Sequence, residues 1–164
     1  MTSSKSETAR TAELDVLILR DPRESLKKCS LTPVRGLPGI EVREWRIDRR
    51  FEVGRRLLLH PDGAELVPGD RELGLGLMLI DCAWRRVPQL LGAVDGELVT
   101  RRLPPLATAY PRVSKVFQDP GAGLASIEAL YAACAILGDV RGELLAAYRW
   151  RDAFLDANPD LPRG

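Results

Sequence analysis

The run GLGLMLIDCAW, residues 74–84, constrains the fold more than any other stretch. Small and apolar residues fill it until Asp81, Cys82, Ala83 and Trp84 end it abruptly. It reads as a buried strand that delivers a carboxylate and an indole at its carboxyl end. Three further stretches have the same character. LDVLILR, residues 14–20, is rich in branched apolar residues and stops at Asp21-Pro22, the punctuation of a strand running into a loop. IEVREWRI, residues 40–47, alternates apolar and charged side chains, as a half-buried strand does. RRLLLHPDG, residues 55–63, adds another apolar strand that enters a turn at His60-Pro61. Short strands separated by polar segments point to an α/β layer in the first half of the chain rather than a helical bundle.

The second half changes character. LASIEALYAACAILG, residues 124–138, is built of helix formers and closes at Gly138, a helix stop. RGELLAAYRWRDAFLDANPD, residues 141–160, continues in helical periodicity until Asn158-Pro159, and Trp150 and Phe154 are spaced to share one helical face. Between the halves, residues 101–123 contain Pro104, Pro105, Pro111 and Pro120, which disfavour a long helix and predict an ordered loop of functional importance. The expected organisation is a flexible polar tail at residues 1–12, an α/β part at 13–90, and a loop-and-helix part at 91–164.

At 164 residues with 45% hydrophobic content, the chain suits a folded globule. No stretch reaches the length of a secretory apolar segment or a membrane span, so a cytoplasmic protein is expected. Cys29, Cys82 and Cys134 are odd in number, far apart and without CxxC spacing, and the single His60 cannot complete a zinc set with them. They read as buried or incidental thiols, and His60 as a side chain flanking a turn. The net charge is only +1, yet residues 23–56 hold ten Lys/Arg against five Asp/Glu, and residues 85–115 hold six against two. Such local surpluses form either a phosphate-binding face or an ordinary solvated surface.

Ligands of open α/β sheets bind beyond the carboxyl ends of the strands. Three such ends carry unusual content here: Asp21-Pro22 leading to KKCS, His60-Pro61, and Asp81 to Trp84. Gly74 and Gly76 precede their strand instead of following it, no GxGxxG opens a helix, and no GxxxxGK[ST] occurs, which disfavours a dinucleotide fold and a P-loop. Asp81 reads as a ligand-binding carboxylate or as a helix cap, and Trp84 as a ligand platform or as a hydrophobic anchor.

KKCS (27–30), Leu59 with Pro61, VPGD (67–70), LIDCAW (79–84), RLPPL (102–106), LASIEA (124–129) and RWRDAFLDAN (149–158) follow one another in an order that resembles the ribosome-biogenesis aminocarboxypropyltransferases of small-subunit ribosomal RNA. DTW-domain enzymes, which carry out related chemistry on transfer RNA, look like cousins. The resemblance implies a SPOUT-like α/β fold: a parallel sheet with a deep trefoil knot, followed by an all-helical C-terminal part. It implies S-adenosylmethionine as donor of a 3-amino-3-carboxypropyl (acp) group to a uridine- or pseudouridine-type base of ribosomal RNA, with no metal and a monomeric enzyme. Carried over by position, Ser30 falls near the amino-acid end of the cofactor. Leu59, Pro61, Trp84, Leu103, Leu124 and Ala129 surround the adenine and its neighbouring apolar groups, and the backbone at Ile80 meets the ribose. Asp81 is the catalytic candidate beside the reacting centre, as a charge for the cationic end of the cofactor or an orienter of the base, with proton acceptance the weaker role. Lys27, Lys28, Arg35, Arg46, Arg49 and Arg50 are the expected phosphate contacts. Residues 109–115 depart from the family's Asn-Pro-Val-Asn-Tyr-Gly, keeping only the proline, which leaves the RNA partner open. The same chemistry on transfer RNA, methyl transfer, or a non-catalytic RNA-binding assembly factor are the alternatives.

Overall fold

The computed structural model describes residues 13–25, 29–111 and 123–164; Lys27 and Lys28, and most of the 109–115 segment, lie outside them. Five strands form one sheet: β1 (Val16–Arg20), β2 (Ile40–Glu44), β3 (Phe51–Glu65), β4 (Gly76–Asp81) and β5 (Val94–Arg102). The order is β2-β1-β4-β3-β5 and every pairing is parallel. The helices are α1 (Val87–Leu91), α2 (Ser126–Ile136) and α3 (Arg151–Ala157), with short 3-10 turns between elements.

All five residues of β1 are buried, because the strand lies between two neighbours and both sheet faces are covered. Alternate side chains therefore feed two separate cores. Val16, Ile18, Leu57, Leu77 and Leu79 meet α2 through Ile127, Leu130 and Tyr131, whereas Leu17, Leu19, Leu58 and Met78 meet Trp45, Phe51 and Leu90. By the same alternation, Asp81 continues the row of Leu77 and Leu79 and emerges on the α2 face.

The four strands expected from sequence are present, and a fifth corrects the expected all-helical part after residue 90. β5 pairs along most of the length of β3. Its sequence, VDGELVTRR, conceals a strand behind four charges. As an edge strand it carries them outward: Asp95 and Glu97 take ion pairs from Arg50 (2.7 Å) and Arg55 (3.0 Å). The β3–β5 register slips between Leu59 and Ala64, so residues 60–63 form a bulge within β3. Gly63 permits this, since a Cβ there would lie 2.5 Å from the Thr100 backbone.

α2 ends as expected, with Gly138 in a left-handed conformation (φ 87°). The closing helix does not run through from Arg141: a 3-10 turn at Gly142–Leu145 precedes α3, which begins only at Arg151. Trp150 consequently lies before the helix and does not share a face with Phe154. Phe154 is fully buried edge-on against Tyr131 (6.5 Å), while Trp150 packs on Tyr110 (5.2 Å) and Tyr148 (5.8 Å).

Candidate active site

A cleft of about 470 Å³ opens at the carboxyl end of β4, lined by Glu24, Cys29, Ser30, Asp81, Tyr110 and Ser126 among others. Its parts come from four segments that meet at the first turn of α2. Ser126 Oγ donates to Asp81 Oδ1 (2.9 Å), and the thiol of Cys29 donates to Asp81 Oδ2 (3.1 Å). The Ile127 N–H donates to Ser30 Oγ (3.1 Å). Ser30 thus uses its hydroxyl as acceptor toward the helix, leaving its proton for a ligand.

Glu128, fully buried, ties the loop that carries Tyr110 to the start of α2. Its Oε1 accepts from Thr108 Oγ1 (2.6 Å) and the Ala125 N–H (2.8 Å), and its Oε2 from the Ala109 N–H (2.9 Å). Thr108 Oγ1 in turn accepts from the Tyr110 N–H (3.1 Å). Buried Asn158 holds the same loop, exchanging two 2.8 Å hydrogen bonds with the backbone of Ala107. Tyr110 reaches the cleft wall because two buried side chains fix the loop that carries it. The charge of Glu128 and, more strongly, burial push the Tyr148 hydroxyl above the ordinary tyrosine range.

Behind the cleft, Asp21 is fully buried and accepts from Arg23 Nε (2.8 Å), the Arg23 N–H (3.0 Å) and Arg86 (3.1 Å). Burial works to raise its pKa, and the Arg23 and Arg86 hydrogen bonds outweigh that and hold it below the usual carboxylate range. Glu24 Oε1 accepts from the Ala83 N–H (3.2 Å), which joins the ends of β1 and β4. Burial, then the charges of Asp21 and Asp81, push Cys82 up to about 12. Burial and the bond to Asp81 raise Cys29 likewise. Both remain thiols at neutral pH.

Of the residues singled out by sequence, Ser30 and Asp81 line this cleft. Leu59, Leu103, Leu124 and Ala129 are half-buried and all pack on the core beneath α2, the sheet face that Asp81 shares. Ile80 turns its side chain to the opposite core, so only its backbone can serve the site. Pro61 is exposed on the bulge, and its neighbour His60 packs edge-on against Trp84 (6.4 Å), which is 46% exposed. His60 therefore does more than flank a turn: it joins the Pro61 bulge to the indole.

The arginine set is less uniform. Arg35 pairs with Glu44 (3.6 Å), Arg46 with Asp48 (3.8 Å) and Arg50 with Asp95, so much of the local positive surplus is matched by neighbouring acids. Arg50 also donates to the Gly92 carbonyl (3.2 Å), at the amino-terminal start of β5 rather than the carboxyl end of β4. Arg49 is exposed with no carboxylate partner among the described residues. Sequence reading passed over Cys29, Ser126, Thr108, Glu128 and Asn158. Only Glu128 carried a local signal, an acid three residues after the residue that precedes its helix.

A parallel α/β sheet with a polar, carboxylate-bearing cleft beyond its strand ends is the arrangement in which open α/β domains bind small ligands. The chain belongs to the ribosome biogenesis protein, C-terminal family, whose model matches residues 57–162. It is 36% identical over 99 residues to a 16S rRNA aminocarboxypropyltransferase of Vulcanisaeta distributa, a match covering 57% of this chain and about half (51%) of that relative. It is also similar to the structure of the SAM-dependent rRNA:acp-transferase Tsr3 from Vulcanisaeta distributa, with TM-score 0.67 and 27% identity over 88% of this chain and 78% of that one.

Proposed function

We propose that this protein transfers the acp group of S-adenosylmethionine to a uridine- or pseudouridine-type base of ribosomal RNA. The observation that carries the reading is the carboxylate of Asp81: it faces a cleft of ligand size, and no cation pairs with it among the described residues. The cofactor fits the groups present. Its sulfonium and ammonium are cations that complement Asp81, its carboxylate can accept from the Ser30 hydroxyl, and the cleft falls within the roughly 300–1,000 Å³ of small-molecule sites. Leu59, Leu103, Leu124, Ala129, Pro61 and Trp84 supply apolar and aromatic surface for the adenine.

When bound, the cofactor supplies an electrophilic carbon activated by the positive sulfur. The chain's contribution is orientation. The sulfonium methyl is the least hindered carbon, so the cleft must shield it and present the side-chain methylene to the incoming nitrogen. Positioning of this kind contributes up to roughly 7–11 kcal/mol in well-oriented systems. Asp81 holds the cationic end, Ser30 the carboxylate, and Trp84 limits the plane in which the adenine can lie. Among the arginines of residues 35–50, Arg49, exposed and without a carboxylate partner among the described residues, leads the contact with RNA phosphates while the target base is splayed toward the cleft. The trefoil knot, a cytoplasmic location and a metal-free monomer belong to the same proposal.

The test uses ribosomal RNA and two S-adenosylmethionine samples, one labelled in the methyl and one in the carboxyl group. Carboxyl label alone in the RNA is the expected result. Methyl label alone would make the protein a methyltransferase, label in transfer RNA alone would move the substrate, and no transfer would leave an RNA-binding assembly factor.

A further inference from the structure

Asp81 is held by a closed ring of hydrogen bonds. Cys29 donates to one carboxylate oxygen and Ser126 to the other, while Ser30, the residue after Cys29, accepts from Ile127, the residue after Ser126. The backbone of Asp81 is fixed as well, its carbonyl accepting from the Asp21 N–H (3.0 Å). A carboxylate on a strand end otherwise rotates about two side-chain bonds, and each rotamer aims its charge differently. Here either oxygen could leave its place only by breaking a bond to a side chain that the ring itself holds. The remaining lone pairs are thereby directed away from Cys29 and Ser126.

From this ring we infer that Cys29 and Ser126 are positioning residues, which aim the charge of Asp81 at the cationic sulfur of the cofactor. Cys29 is then no incidental thiol. It suits the role because it stays protonated, and so remains a donor instead of a nucleophile facing an alkylating sulfonium. Ser126 suits it because the first turn of a helix carries the hydroxyl on a rigid element. The inference rests on the proposed cofactor, and only on that part of the proposed function.

The experiment compares binding of two ligands by calorimetry: S-adenosylmethionine, with a positive sulfur, and S-adenosylhomocysteine, whose sulfur is neutral. The ratio of their affinities reads the charge of Asp81 at the sulfur and needs no turnover. The wild-type protein should favour the sulfonium, and Asp81→Asn should bring the ratio close to one. Cys29→Ala and Ser126→Ala should each lower the ratio about 3- to 10-fold, the effect of one hydrogen bond of ordinary net worth. Cys29→Ser, which keeps a donor, should restore most of it; its thermal midpoint, and those of the alanine variants, establish that each is folded. A wild-type ratio in both folded alanine variants, with the ratio lost in Asp81→Asn, would overturn the positioning role alone. If Asp81→Asn keeps the ratio, Asp81 has no charge contact for them to aim and the inference falls. Absence of S-adenosylmethionine binding to the wild-type protein would instead overturn the proposed function.

Discussion

Replacing Glu128 tests how the cleft is assembled. The carboxylate is fully buried and satisfies three donors, the Thr108 hydroxyl and the Ala109 and Ala125 N–H groups. Glu128→Ala strands all three without a nearby substitute, and each unmet buried donor costs about 1–3 kcal/mol. Glu128→Gln is nearly isosteric. With its carbonyl in the place of Oε1 it keeps Thr108 and Ala125, but it turns an NH₂ toward the Ala109 N–H. One unmet donor costs about 1–3 kcal/mol. Thr108→Val removes one donor to Glu128 and also the acceptor of the Tyr110 N–H, and should cost about 1–3 kcal/mol. Urea unfolding should therefore show the largest loss for Glu128→Ala, with Glu128→Gln and Thr108→Val each losing less. Each kcal/mol should appear as a fall of about 2–4 °C in Tm for a chain of this size. Since domains are stable by only about 5–15 kcal/mol, Glu128→Ala should be at best marginally folded. A Glu128→Gln protein within about 0.5 kcal/mol of wild type would refute the claim that this carboxylate ties the Tyr110 loop to α2.

Asp21 gives a pH signature. Its folded pKa lies below its ordinary value, so its contribution is present above about pH 4 and is lost as pH falls through the depressed value. Asp21→Asn should cost about 1–3 kcal/mol at pH 7 and flatten the acid limb of a stability–pH curve; an unchanged limb would contradict the network with Arg23 and Arg86. Gly63→Ala should destabilise by about 1–3 kcal/mol, because the new methyl overlaps the Thr100 backbone, and should weaken S-adenosylmethionine binding by displacing the bulge against Trp84. Calorimetry that finds both properties unchanged would remove the bulge from the site. The logarithm of RNA affinity should fall linearly with the logarithm of salt concentration, and neutralising Arg49 should reduce the slope more than neutralising Arg50, which Asp95 already occupies. Equal slopes would contradict that assignment.

The sheet was legible wherever burial leaves a continuous apolar run, as in β1 and β4, or where punctuation is sharp, as at Asp21-Pro22 and Gly138. β5 was not, because an edge strand satisfies its charges across the strand pair, and no periodicity within one segment records a partner 42 or 45 residues away. The break before α3 was hidden for a similar reason: Trp150 has helical spacing to Phe154, but its ring is claimed by Tyr110 and Tyr148. Within the site, Asp81 and Ser30 stood out by position and by family resemblance. Cys29, Ser126 and Glu128 did not, since each acts by a hydrogen bond between segments that are 20 to 52 residues apart or by filling the first turn of a helix. The charge surplus of residues 23–56 promised more than the fold delivers, for acids inside the same stretch and on β5 take up several of its arginines.

The central claim is that the cofactor sits at the carboxyl end of β4, and a crystal structure with S-adenosylmethionine bound tests it most directly. The account predicts adenosine against Trp84 and Leu59, the sulfur beside Asp81, and the carboxylate within reach of Ser30. Adenosine lodged elsewhere, or a sulfonium methyl open to solvent with Asp81 turned away, would contradict it.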